Sequence, residues 1–240
     1  MYRKIAALQW IISWYGAGKT STNSSFNIPG KIAWITMEVP GFMTVLYIVN
    51  TLPAELGISD LPWQNKAMAG LFTIHYINRA ILGPLLAPSM SPIHPLVWIA
   101  ALAFQLTNGL SIGGYLGGYG PTASSSWHLA HSRIGLGLLV WTLGLAGNIY
   151  HDEVLRQIRR PSQSNKKNPN VHKVYKIPTG GLFKYVLYPH YLCEWIEWLG
   201  FWIIGGWACV PARNFVVNEV ATMLPRAHAQ DEGPLELLKR

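Results

Sequence analysis

Charged residues are scarce in this chain: Asp, Glu, Lys and Arg make up 12% of its 240 residues, against roughly 25% in a soluble domain. With half of the residues hydrophobic, that scarcity excludes an ordinary water-facing surface and points to a chain whose solvent is lipid. Cysteine is nearly absent as well. Cys193 and Cys209 both sit in apolar runs, which excludes a disulfide framework or a cysteine-rich zinc site and leaves them as packing residues. The chain also lacks a G-x-G-x-x-G turn after a strand, a G-x-S-x-G elbow and the second histidine of a zincin helix. Rossmann-type nucleotide binding, α/β-hydrolase chemistry and a metal site therefore have no sequence support.

What the chain does have is long apolar runs in series. The approximate spans Ile32–Leu52, Met68–Ala87, Val97–Leu116, Ile134–Tyr150, Leu182–Ile204 and Trp207–Met223 each come near the roughly 20 residues that cross a bilayer. Ala6–Tyr15 reads as the tail of a further helix. Lipid tolerates only helices or closed barrels, and these runs are continuous rather than alternating. The expected fold is an all-α polytopic bundle of about seven transmembrane helices, forming a single domain over residues 1–240. The 11 Trp and 11 Tyr suit the headgroup belts of such a bundle.

Gly16-Ala17-Gly18-Lys19-Thr20 resembles the end of a P-loop, but Ser13 stands where that motif needs its first glycine, and no strand precedes it. Asn23-Ser24-Ser25 is a formal glycosylation acceptor. Positive charge gathers after the fifth span, at Arg156, Arg159, Arg160, Lys166, Lys167, Lys173, Lys176 and Lys184, whereas the 117–132 loop has no Lys or Arg. By the positive-inside rule the basic 151–181 loop is cytosolic, and by parity so is the C-terminus. Such a loop serves either as a solvated tether or as a seat for an anionic lipid or nucleotide phosphate.

Polar groups inside the spans carry more information. Glu194 and Glu197, i and i+3 in one apolar run, are costly in hydrocarbon unless partnered, and they can meet a common polar partner inside a bundle. Glu38, Tyr76, Arg79, Asn108, Asn148, Asp152 and His190 are embedded in the same way. Together they predict a polar cavity lined from several helices.

Four stretches then match a known family in order: Trp34–Gly41 (WITMEVPG), Ile74–Arg79 (IHYINR), Asn148–Arg159 (NIYHDEVLRQIR) and Tyr175–Trp198 (YKIPTGGLFKYVLYPHYLCEWIEW), followed by Met223–Ala227 (MLPRA). The chain resembles the steroid 5α-reductase family of polytopic membrane oxidoreductases, most closely its fungal branch. That resemblance implies reduction of a carbon–carbon double bond conjugated to a ketone, with NADPH as hydride donor and a steroid or other lipid enone as substrate. It places Glu38 and Tyr76 at the substrate ketone, where a phenol beside a carboxyl group stabilises or protonates the enolate. It assigns NADPH contacts to Asn148, Asp152, Arg159, Tyr175, His190, Glu194 and Arg226, with Arg79 and Arg156 beside them. It also implies an endoplasmic-reticulum membrane.

His190 replaces an Asn common among steroid-reducing members, and the 228–240 tail, ending AQDEGPLELLKR, departs from the family's aromatic, basic closing segment. A weaker hold on NADPH follows from that departure. The same fold would also suit a polyprenol-type or enoyl-lipid reductase, or a non-catalytic lipid-binding membrane protein. Membrane lipids are the expected surroundings; no nucleic acid and no obligate protein partner is implied.

Overall fold

A computed structural model describes residues 24–160 and 178–229. Every regular element among them is helical, and the sheet-like pairing among the described residues is one isolated bridge, Ile28 to Ile93. The helices are α1 (Gly30–Glu55), α2 (Trp63–Tyr76), α3 (Gly83–Leu86), α4 (Pro95–Gly114), α5 (His131–Arg159), α6 (Pro189–Gly205) and α7 (Val210–Ala229). A π-helical turn, Ile77–Leu82, joins α2 to α3, and a second, Tyr115–Tyr119, prolongs α4. Gly30–Glu55, Pro95–Tyr119 and His131–Arg159 are long and apolar enough to cross a membrane. Counting α2 and α3 as one continuous rod, the described residues hold six helical rods, of which those three meet that length and apolarity. Ala6–Tyr15, the seventh expected from sequence, lies outside the described residues.

Two helix pairs are drawn together by glycine. A Cβ on Gly109 of α4 would lie 2.5 Å from the carbonyl oxygen of Gly41 in α1, and Gly113 and Gly117 press on the α1 backbone at Val45 and Ile48–Val49. On α5, a Cβ at Gly144 would come within 2.3 Å of the Glu197 nitrogen, while Gly200 of α6 sits equally close to the Trp141 nitrogen. Lipid gives little hydrophobic drive for helix association, so contact between backbones across small residues takes its place. The glycines thus fix how α6 faces α5, and with it where Glu194 and Glu197 point.

Across these pairs lies an aromatic core. Phe72 and Tyr76 of α2 are 4.7 Å apart between ring centres, Trp198 of α6 lies 5.6 Å from Phe72, and Phe215 of α7 packs edge-on to Trp198 at 4.5 Å.

Several boundaries differ from the sequence reading, each for a local reason. The span expected from Leu182 begins only at Pro189. Gly181 has φ +60° and Gly181–Lys184 form a 3-10 turn; proline then sits at the first helical position, where its missing N–H is not needed. The span expected from Trp207 begins at Val210, because Gly206, at φ +78°, ends α6. The fifth helix runs nine residues beyond Tyr150, to Arg159, so residues 151–159 of the stretch read as loop are helical. An ion pair from Arg156 to Glu153, at 2.6 Å and one turn apart, supports that extension. Residues 161–177, with Lys166, Lys167, Lys173, Tyr175 and Lys176, lie outside the described residues, as do the P-loop-like stretch, Asn23 and residues 230–240.

Candidate active site

The site begins at α1. Helix α1 stays continuous through Pro40 and Pro53 and carries Glu38, 5% exposed, on its inner face. Gln105 of α4, seated against Gly41, donates its Nε2 hydrogen to Glu38 Oε2. The same side chain neighbours the Tyr76 phenol. Tyr76 is held by ring contacts with Phe42, Phe72, His75 and Trp198, and its side chain is almost fully buried. An α4 amide therefore bonds a carboxyl group from α1 and adjoins a phenol from α2.

Arg79 follows Tyr76 by three residues, within the π turn. Pro84 cannot donate to the helix ladder, and its ring crowds the carbonyl four residues back. The helix widens through Ile77–Leu82 just before it, as π turns commonly do at functional sites. In this turn the Arg79 carbonyl accepts from Trp34 Nε1 at 3.2 Å, and the guanidinium lies 5.5 Å above the Trp34 ring. From there Arg79 reaches two ways: Nη1 to Glu194 Oε1 at 2.7 Å, and Nε to Glu38 Oε2 at 3.8 Å.

The common partner expected for the two α6 acids is His75. Its Nδ1 is 2.9 Å from Glu197 Oε1 and its Nε2 is 3.7 Å from Glu194 Oε1. Glu219 of α7, also buried, lies within electrostatic reach of Glu38, Glu194, Arg79 and His75. Four buried carboxyl groups thus surround one guanidinium and one imidazole.

Glu194 is also where the second half of the site starts. His190, one turn earlier on α6, gives its carbonyl to Asn148 Nδ2 of α5 at 3.0 Å. Asp152, one turn beyond Asn148, interacts electrostatically with Glu194, Arg79, Arg156 and Arg159. Arg156 is engaged by Glu153, and Arg159 is exposed at the end of α5. The adjoining 3-10 turn is latched on by His151, which donates from Nδ1 to the Gly147 carbonyl (2.6 Å) and accepts at Nε2 from the Leu182 N–H (3.0 Å). Phe183, Tyr188 and Tyr191 surround the His190 ring. Of the residues singled out in the sequence, Glu38, Tyr76, Arg79 and Glu194 meet in one connected group, and Asn148, Asp152 and His190 adjoin it. Arg226 lies in the last turns of α7, and Tyr175 is outside the described residues. No group of three or more metal-binding side chains occurs among the described residues.

His75, Gln105 and Glu219 were not anticipated as site residues. Each lies in a membrane-type helix among other polar residues, with no motif to single it out. His75 had one signal, its place next to Tyr76, and Glu219 had the general cost of an acid in lipid.

The helical bundle and its buried ionic core define a membrane protein with an enclosed polar site. The comparisons make that more specific. The family model described as 3-oxo-5-alpha-steroid 4-dehydrogenase matches residues 91–233. An uncharacterized protein of Schizosaccharomyces pombe is 39% identical over 218 residues, covering 83% of this chain and 76% of the relative. The 3-oxo-5-alpha-steroid 4-dehydrogenase 1 of Mus musculus is 31% identical over 229 residues, 95% of this chain and 83% of its own. That of Bos taurus is 31% identical over 192 residues, covering 78% and 70%. The chain belongs to the 3-oxo-5-alpha-steroid 4-dehydrogenase family, whose named relatives are oxidoreductases.

Proposed function

We propose that this chain is a membrane oxidoreductase that saturates the enone C=C of a steroid-like lipid with a hydride from NADPH, in a bundle of seven transmembrane helices in the endoplasmic reticulum with the basic loop and C-terminus on the cytosolic side. The observation that carries the reading is the meeting of Glu38 and Tyr76 on Gln105, with Arg79 bridging from Glu38 to Glu194.

The α5–α6 end of the site fits a nucleotide. His190 Nδ1 is buried there without a hydrogen-bond partner, and three arginines, Arg156, Arg159 and Arg160, close α5. Guanidinium forks bind phosphate oxygens bidentately. Asn148, Asp152, Arg156, Arg159, His190 and Glu194 would hold the cofactor, with Arg226 and Tyr175 from the flanking segments. Asp152 and Glu194 suit ribose hydroxyls and carboxamide protons, since as acceptors they would repel phosphate. When bound, NADPH supplies a hydride to the carbon β to the ketone.

The chain's own residues handle the charge that this creates. As negative charge grows on the carbonyl oxygen, the Tyr76 O–H donates to it, and Arg79 adds a fixed positive field in a water-poor site. Gln105 acts as a positioning residue. By donating to Glu38 it fixes that carboxyl group near the phenol. The enolate then takes a proton at the α-carbon.

The reading is tested by product analysis. Membranes containing the chain, given NADPH and a Δ4-3-ketosteroid, should yield the 4,5-saturated ketone, and Glu38→Gln should lower turnover by about 10²-fold or more. Full activity in Glu38→Gln would remove this carboxyl group from the chemistry.

A further inference from the structure

Saturating an enone takes up a proton as well as a hydride, and the residues that touch the substrate must be resupplied with it after each turnover. A crevice of 230 Å³ lies between α4 and α7, lined by Phe104, Asn108 and Ser111 on one side and Asn214, Phe215 and Asn218 on the other. Ser111 and Asn214 are exposed at its mouth, Asn218 is partly buried, and Asn108 is buried; intramembrane polar groups face cavities or partners. Asn108 is 6% exposed and its Nδ2 has no hydrogen-bond partner, so the crevice presents a buried donor that needs an acceptor. The volume is below the roughly 300 Å³ at which small-molecule pockets begin, but it holds several waters at about 30 Å³ each.

Two lining residues adjoin site residues on their own helices. Phe104 is the chain neighbour of Gln105, and the two lining phenylalanines stack at 6.2 Å. Pro211, Phe215 and Glu219 fall on one stripe of α7 at i, i+4 and i+8, so Glu219 is one turn beyond the lining Phe215. There it is buried within electrostatic reach of Tyr76, Glu38, Arg79, His75 and Glu194.

We propose that the α4–α7 crevice is a water-filled antechamber and that Glu219 at its inner end passes solvent protons to the Glu38–Gln105–Tyr76 group. This rests on the reductase reading. The enolate breaks the Tyr76 O–H bond and takes that proton at carbon. The phenolate regains a proton from the Glu219 carboxyl group, and the resulting carboxylate takes one from crevice water, which draws it from bulk solvent. Glu219 acts through Tyr76 and does not touch the substrate.

Two measurements on the full-length chain in detergent test the relay. In hydroxyl-radical footprinting, Phe215, 4% exposed, should be labelled in the wild type by internal water and protected in Asn108→Leu; an unlabelled wild-type Phe215 overturns the proposal. In steady-state turnover of a Δ4-3-ketosteroid, Glu219→Gln should bind NADPH as the wild type does. Its kcat should fall about tenfold to a hundredfold, with a larger solvent deuterium isotope effect, and Glu219→Asp should recover part of the rate. Wild-type turnover matched by Glu219→Gln in both rate and isotope effect overturns the relay alone. No turnover of any enone by the wild type overturns the reductase reading and the relay with it.

Discussion

Tyr76→Phe is expected to lower kcat for a Δ4-3-ketosteroid by about 10²- to 10³-fold, the loss that follows removal of one donor aimed at a developing oxyanion. In free energy this is about 3–4 kcal/mol of transition-state stabilisation. The fold should survive, because the ring itself remains to fill the space between Phe42, Phe72 and Trp198. NADPH binding, followed by the change in nicotinamide fluorescence, should be near normal, since the cofactor residues proposed here lie on the Glu194 side of Arg79. A variant that loses rate and NADPH affinity together would show that the phenol supports the architecture rather than the reaction.

Gly144→Val should have the largest effect on folding. Its Cβ would have to occupy space 2.3 Å from the Glu197 nitrogen and 2.5 Å from the Glu197 Cα, and backbone cannot yield as a flexible side chain can. Overpacking of this kind typically costs 1–3 kcal/mol, and here the clash is with main chain, so about 3 kcal/mol or more is expected. The α5–α6 pair should separate and take the His75–Glu197 bond with it. Gly135, on the same helix, meets nothing within 4 Å. Gly135→Ala should therefore leave stability unchanged or slightly raised. Fluorescence-detected size-exclusion after a heat step reads both: an early loss of the monodisperse peak for Gly144→Val, none for Gly135→Ala.

Membrane composition and helical class were legible because continuous apolar runs leave few alternatives in lipid. The demand of Glu194 and Glu197 for one shared partner was legible too, because i and i+3 spacing and the cost of buried charge are local facts. That partner's identity was not. His75 is 122 residues away from Glu197 in the chain, and only the docking of α2 on α6 brings them together. Gln105 and Glu219 stayed hidden for the same reason, since their partners come from other helices far away in the chain.

The glycines were visible as letters but not as contacts. Gly144 and Gly135 differ in sequence by little, yet one touches the facing backbone and the other touches nothing. The late start of α6 was missed because Leu182–Tyr188 is apolar or aromatic apart from Lys184, while the backbone is redirected at Gly181 and Pro189. The widened turn that carries Arg79 had its cause, Pro84, in plain view. Its consequence depends on Trp34 and Glu194, which come from two other helices.

The most direct test of the central claim is to follow the hydride. The purified chain would be given NADPH carrying deuterium at the transferable position of the nicotinamide, with a Δ4-3-ketosteroid, and the product examined by mass spectrometry and NMR. The account predicts one deuterium at the carbon β to the ketone and a solvent-derived hydrogen at the α-carbon. A saturated product without cofactor deuterium, or NADPH bound and never oxidised in the presence of any enone, would contradict it.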